Sequence, residues 1–364
     1  MRNCLVVLKN KKLCLDTAEY TPCAQAFASA GLYFDKISVV AYDSSRDITA
    51  QLKDCRSNFD NAVIMCPGSM QNTVTEYLQP LYGGTFSDGI MDTGENTVFL
   101  YFTDSGDPSD FDKFAAHIND KQQLKFARSY IKAMGAPRDK LIKVVEDAKA
   151  ADPSLEVNVF ESYGDFTIEL VYPESRAKAI SGVVRMFATA LEEHIYAYEK
   201  VDIAKHLYDL LKLRKYKLAC AESFTGGGVG KRIVDIPGAS EIFYEGLNTY
   251  SNDSKRDRLA VKDVTLKTEG AVSAETAKQM ANGLMWRGRC NVAVSTTGIA
   301  GPQSDNTLKP VGLCYIGIAL KDSSSFKGAT VYKYNLSGDR KTITETAINY
   351  ALFLAYKNAK DNLG

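Results

Sequence analysis

Histidine is the scarcest catalytic side chain in this 364-residue sequence: His117, His194 and His206 are the only three. Residues 207–364 therefore hold no Ser-His-Asp triad, no Cys-His dyad and no histidine-ligated zinc of their own. A hydrolytic site there needs another base, and lysine or a carboxylate is what remains. Paired cysteines are missing too. The eight cysteines (4, 14, 23, 55, 66, 220, 290 and 314) are scattered, with no Cys-x-x-Cys. That excludes a zinc ribbon and a disulfide framework and leaves reduced thiols, mostly in cores. No apolar run approaches the ~20 residues that span a bilayer, so no membrane association is expected. Leu5–Leu8 is too short for a signal peptide and runs into Lys9, Lys11 and Lys12; the expected location is the cytoplasm. Dense Lys/Arg runs with interleaved aromatics are absent, so no nucleic-acid partner is expected.

What is present is ordinary for a folded protein, with 45% hydrophobic and 24% charged residues. At roughly 150 residues per domain the length implies two or three domains. Lysine plus arginine balance aspartate plus glutamate at 44 each, but unevenly. Residues 1–200 hold 21 basic and 28 acidic side chains, a balance of −7; residues 201–364 hold 23 and 16, a balance of +7. Two readings fit: an anionic ligand on the C-terminal half, or two complementary surfaces.

Periodicity divides the chain into three α/β units. In residues 1–118, strands at Leu5–Leu8, Ile37–Ala41, Ala62–Cys66 and Val98–Phe102 alternate with helices at Cys23–Ala30 and Ile48–Cys55, implying a mostly parallel sheet. Tyr82–Glu95 reads as irregular. Asp104–Asp112 reads as an acidic linker; such a run could hold a cation but more often is a solvated loop. Residues 119–200 read as a small α+β module with helices over Gln122–Met134, Arg138–Ala150 and 176–199 and strands over Leu155–Phe160 and Asp165–Tyr172. Residues 201–364 read as helix 202–213, strand Lys217–Ala221, helix Thr225–Ile236, strand Phe243–Tyr250, helix Ser273–Arg287 capped by Ser273, three strands (Asn291–Thr296, Val311–Leu320, Ala329–Tyr334) and helix Arg340–Lys357.

Four segments of the third unit carry more glycine and hydroxyl than a core requires. Ala221-Glu222-Ser223-Phe224-Thr225-Gly226-Gly227-Gly228 passes from strand to helix, where free amides meet an anion or Thr225 simply caps the helix. From Ile236-Pro237-Gly238-Ala239-Ser240 to Tyr250 and Lys255, a serine, a tyrosine and a lysine fall within sixteen residues. Without histidine, Ser–Lys is the available way to activate a hydroxyl, because burial lowers a lysine pKa; the alternative is a capping serine and a surface lysine. Ser295-Thr296-Thr297-Gly298-Ile299-Ala300-Gly301-Pro302 has the form of a pocket-lining turn after a strand. Ser337-Gly338-Asp339-Arg340 opens the last helix, with Arg340 as an anion clamp or a solvated side chain and Asp339 as its N-cap.

In this order and spacing, the AESFTGGG, PGAS…TYSNDSK, VSTTGIAGP, KPVG and SGDR segments resemble the C-terminal domain of the CinA family, over about 205–360. The stand-alone form of that domain is a nicotinamide-nucleotide amidase. The resemblance implies hydrolysis of the carboxamide of nicotinamide mononucleotide to nicotinate mononucleotide and ammonia, without metal or cofactor. It implies Ser240 as nucleophile, Lys255 as base and Tyr250 beside them. Ser223, Thr225, Gly226, Gly227, Thr297, Gly298 and Arg340 would bind the nucleotide, and the assembly would be a homo-oligomer, a dimer. Residues 1–200 are more faintly similar to the rest of the family, a molybdopterin-binding-like domain and a small module. The sequence departs at Phe224, where the family has cysteine, and at Gln303-Ser304-Asp305, where it has glycines. It departs further at Lys9-Asn10-Lys11-Lys12 and Cys66-Pro67-Gly68-Ser69-Met70, which replace the family's phosphate and metal motifs, so no pyrophosphatase activity is expected. Two rival readings are a degenerate binding or regulatory protein, and an amidase for another nicotinamide-like amide, the latter prompted by Phe224.

Overall fold

Each buried strand of the first domain is a short apolar run. The computed structural model describes all residues except 11–18, 43–44, 123–125, 288, 305–307, 322–325, 327 and 363–364. The chain forms two compact units, Met1–Ala127 with Val171–Ala177, and Arg128–Leu170 with Lys178–Gly364.

In the first unit, β1 (Asn3–Asn10), α1 (Thr21–Ser29), β2 (Lys36–Tyr42), α2 (Ser45–Asn58), β3 (Asn61–Cys66), α3 (Gln71–Tyr82), β4 (Ile90–Asp92), β5 (Thr97–Phe102) and α4 (Asp110–Gln122) follow in order. The sheet order is β2-β1-β3-β5-β4, parallel except for β4. The parallel sheet expected from sequence is therefore present. Alternate side chains of β1 serve two cores: Val6 and Leu8 pack with α2 and α3 residues, Leu5 and Val7 with Phe27 and Phe114. Helices α3 and α4 and strand β4 are additions to the expected elements, and α4 begins inside the stretch read as an acidic linker. Strand β4 lies within the stretch read as irregular, and residue 118 falls inside α4 rather than at a boundary.

The chain continues with β6 (Phe126–Met134), α5 (Arg138–Ala151), β7 (Glu156–Ser162), β8 (Asp165–Pro173), α6 (Ile180–Leu191) and β9 (Ile195–Ala197), in a sheet ordered β7-β8-β6-β9 most of whose residues belong to the second unit. The helix expected over Gln122–Met134 is corrected here: residues 126–134 are a strand. Sheet pairing overrides an ambiguous period, and Ile131, Ala133 and Met134 are buried. The helix expected over 176–199 is shortened to α6, after which Ile195–Ala197 pairs with β6.

The rest of the unit is α7 (Ile203–Arg214), β10 (Leu218–Glu222), α8 (Gly228–Val234), β11 (Phe243–Asn248), α9 (Asn252–Leu259), α10 (Asp263–Thr268), α11 (Ala274–Trp286), β12 (Val292–Gly298), β13 (Leu313–Leu320), β14 (Thr330–Asn335) and α12 (Arg340–Asn362). The sheet order is β11-β10-β12-β13-β14, with β10 parallel to both neighbours and β13 and β14 antiparallel. Helices α7 and α12 cover one face, where Leu207 and Leu211 meet Ala351, Leu352 and Ala355; on the other, Met280 and Leu284 of α11 pack on Ala219 and Ala293. Ser273 caps α11 by accepting from the Thr276 amide, as expected. Seven described cysteines are free and buried; Cys14 lies outside the described residues. No described helix is long and apolar enough to cross a membrane.

Candidate active site around Ser223 and Lys255

In parallel strands, the residues that follow each strand gather at one edge of the sheet. Ser223 follows β10 directly, and Thr249-Tyr250 follow β11. Helix α9 starts immediately afterwards, with Ser251 as its N-cap accepting from the Ser254 amide. One turn into α9, Lys255 points back under this edge and is only 1% exposed. Its Nζ lies 3.0 Å from Ser223 Oγ, 2.9 Å from the Thr249 carbonyl oxygen and 3.0 Å from the Tyr250 carbonyl oxygen. Burial disfavours the ammonium, and the Lys255 pKa falls to about 8.

Those three contacts engage the three hydrogens of the ammonium; when it loses one, two still serve the two carbonyls and the lone pair faces the Ser223 hydroxyl. The Thr249 hydroxyl is buried and has no hydrogen-bond partner among the described residues.

Ser240 is not part of this cluster. It is exposed, in a 3₁₀ turn over Ala239–Glu241 that precedes β11, at the opposite end of the strand from Thr249. Its carbonyl accepts from Lys217 Nζ at 3.2 Å. The structure therefore pairs Lys255 with Ser223, 32 residues away in sequence, and leaves Ser240 at the far edge. Tyr250 contributes its backbone oxygen; its side chain is 63% exposed.

The glycine loop also departs from its expected role. Glu222, 1% exposed, fills the helix start with a carboxylate of the protein's own. Its Oε2 accepts from the Gly227 and Val229 amides (3.1 and 3.0 Å) and the Thr225 hydroxyl (2.7 Å), and Oε1 accepts from the Gly230 amide at 2.9 Å. The Gly227, Val229 and Gly230 amides are thus already taken. Thr225 Oγ1 also lies 2.6 Å from Thr296 Oγ1, tying the loop to β12, and the Ser223 amide donates to the Thr296 carbonyl. Gly226 and Gly227 have φ of 63° and 97°, which fits glycine at both turn positions.

The remaining motif residues brace the same edge. Thr297 Oγ1 donates to the Ala271 carbonyl at 2.7 Å. A Cβ on Gly298 would stand 2.6 Å from Cys314 Cβ and 3.0 Å from the Phe224 ring, so glycine is required for close packing. Phe224 is itself core, packed with Ala300, Cys314, Ile343 and Ala347. Arg340 opens α12 exposed, and its Nη1 donates to the Gly301 carbonyl at 2.7 Å. Asp339 caps α12 by accepting from the Thr342 amide. Gln303 and Ser304 are described, but Asp305 lies outside the described residues. Sequence reasoning passed over Glu222, Thr249 and Thr296. A glutamate ending a buried strand before three glycines was the available signal for the first.

In the first unit, the parallel strands end at Lys9, which is buried and paired with Glu19 at 2.7 Å, and at Cys66-Pro67-Gly68. Both carboxylate oxygens of Asp104 accept from the Gly68 amide at 3.0 Å. Among the described residues, no cluster of His, Cys, Asp and Glu is arranged to hold a metal ion.

Residues 200–358 match the family model described as the CinA C-terminal domain. A relative in Clostridium acetobutylicum, named for competence and damage induction, is 39% identical over 176 residues, 48% of this chain and 42% of that protein. A CinA-like protein of Fusobacterium nucleatum is 33% identical over 244 residues, 63% of this chain and 58% of that protein. The chain thus spans about half the length of the curated relatives it matches. Among solved structures, the competence/damage inducible protein CihA from Agrobacterium tumefaciens is 34% identical, covers 43% of this chain and 93% of its own, and has a TM-score of 0.39.

Proposed function

From the premise that this chain belongs to the CinA family through residues 200–358, we propose that it is an amidohydrolase whose nucleophile is Ser223 and whose general base is Lys255. The substrate we assign is the carboxamide of nicotinamide mononucleotide. One observation carries the reading: a buried lysine amine of lowered pKa lies 3.0 Å from a serine hydroxyl at the C-terminal ends of the parallel strands β10 and β11.

The chemistry follows from that pair. Neutral Lys255 takes the Ser223 proton as Oγ attacks the carboxamide carbon. The tetrahedral oxyanion collapses when Lys255 returns the proton to the leaving nitrogen, releasing ammonia and an ester on Ser223. Water, deprotonated by the same amine, then cleaves the ester to carboxylate and free serine. The Thr249 and Tyr250 carbonyls aim the lone pair throughout. Arg340, exposed and steadied by Gly301, is the group assigned to the phosphate.

Core packing of Phe224 supports nicotinamide mononucleotide over another amide, because the ring that prompted the alternative is directed into the cluster with Ile343 and Ala347. The test is ammonia release from nicotinamide mononucleotide by the full chain and by Ser223→Ala. Release by the native protein alone is expected; equal release by both would overturn the assignment of Ser223.

A further inference from the structure

A cavity of 440 Å³ lies within the second unit, where β14 and the C-terminal half of α12 face the turn after β6 and the end of α6. This is room for a small ligand. Its walls are aromatic. Tyr332 and Tyr334 stand two residues apart on β14, and Tyr350 and Phe353 lie on one stripe of α12. The Tyr334 and Tyr350 rings are 4.4 Å apart between centroids and inclined by 33°. Gly135, at φ 60°, makes room for the Tyr350 phenol, which a Cβ there would overlap. Burial and the neighbouring phenols raise the Tyr334 pKa, so its ring stays neutral.

Carboxylates outnumber cations in the walls, two to one. Glu193 and Asp361 supply two carboxylates. Lys357 is the only lysine or arginine among the described lining residues, and its ammonium is engaged by the Glu193 carbonyl at 3.2 Å. Helices α6 and α12 both end here, each adding the partial negative charge of a C-terminus. His194 gives Nδ1 to the Met134 carbonyl at 2.9 Å, which leaves Nε2 as its available nitrogen. Aromatic faces, carboxylates and helix C-termini all favour a cation and oppose an anion.

We propose that this cavity binds a small organic cation of the quaternary ammonium type, held against the aromatic wall of Tyr332, Tyr334, Tyr350 and Phe353 and balanced by Glu193 and Asp361. The site is separate from the Ser223–Lys255 cluster and does not depend on its assignment.

The experiment is a calorimetric titration of the full chain with benzyltrimethylammonium, with benzyl alcohol as the neutral control. Saturable one-site binding is expected, with the alcohol at least about tenfold weaker, the factor that one desolvated cation–π contact supplies. Tyr334→Leu should lower affinity by a similar factor. Glu193→Lys, a change at an exposed position that leaves the core intact, should do the same and keeps the test valid if the tyrosine variant folds poorly. Absence of saturable binding, equal affinity for the alcohol, or native affinity in Glu193→Lys would each overturn the proposal.

Discussion

Raising the pH tests the Lys255 amine in two independent ways. Burial lowers its pKa from 10.5 to about 8. At pH 7 about one amine in ten is then neutral, against about one in three thousand at the ordinary value, so burial enlarges the reactive population about 300-fold. Initial rates of ammonia release at subsaturating substrate should therefore rise about tenfold per pH unit up to about 8 and level off above it. The same shift appears in stability. Between about 8 and 10.5 the unfolded chain still binds the proton and the folded chain does not, so stability increases with pH across that window. The full span is about 3 kcal/mol for a shift of this size. Denaturant titrations at the two ends of the window, compared between native protein and Lys255→Met, isolate the contribution of this residue. A rate that levels off below pH 7, or a Lys255-dependent stability that falls as pH rises, would refute the argument that the amine is the base.

Three further outcomes follow from the geometry. Ser223→Ala should lose about a thousandfold or more in kcat while Ser240→Ala stays within about twofold, because Ser240 lies at the far end of β11; steady-state kinetics on both variants read this directly. Glu222→Gln leaves buried amides with fewer acceptors and should cost about 2 kcal/mol of stability by denaturant titration, with native stability in the variant counting against its bracing role. Metal-dependent cleavage of ADP-ribose by the full chain should be undetectable, since the Asp104 carboxylate already occupies the Gly68 amide; measurable turnover would contradict this.

Much of the fold was legible because short apolar strands and helix caps carry strong local signals, as at Ala62–Cys66 and Ser273. The strand at Phe126–Met134 was not. Its residues suit a helix by period, and only pairing with the distant strands β8 and β9 decides the matter. Lys255 could be read as a buried base because residues 207–364 offer no histidine. Its partner could not be chosen by proximity in sequence. Ser240 is the nearer in number to Lys255, but it precedes its strand, whereas Ser223 follows one. Parallel pairing of β10 and β11 brings the following residues together and sends the preceding ones to the opposite edge. In the glycine loop, the Gly227, Val229 and Gly230 amides donate to Glu222, a partner that the reading of free amides did not include.

The most direct measurement is intact-protein mass spectrometry after rapid acid quench of the full chain with nicotinamide mononucleotide. The account predicts a transient adduct equal to the substrate minus ammonia, mapped by peptide digestion to Ser223 and missing in Ser223→Ala. An adduct on Ser240, or ammonia release by Ser223→Ala at the native rate, would contradict it.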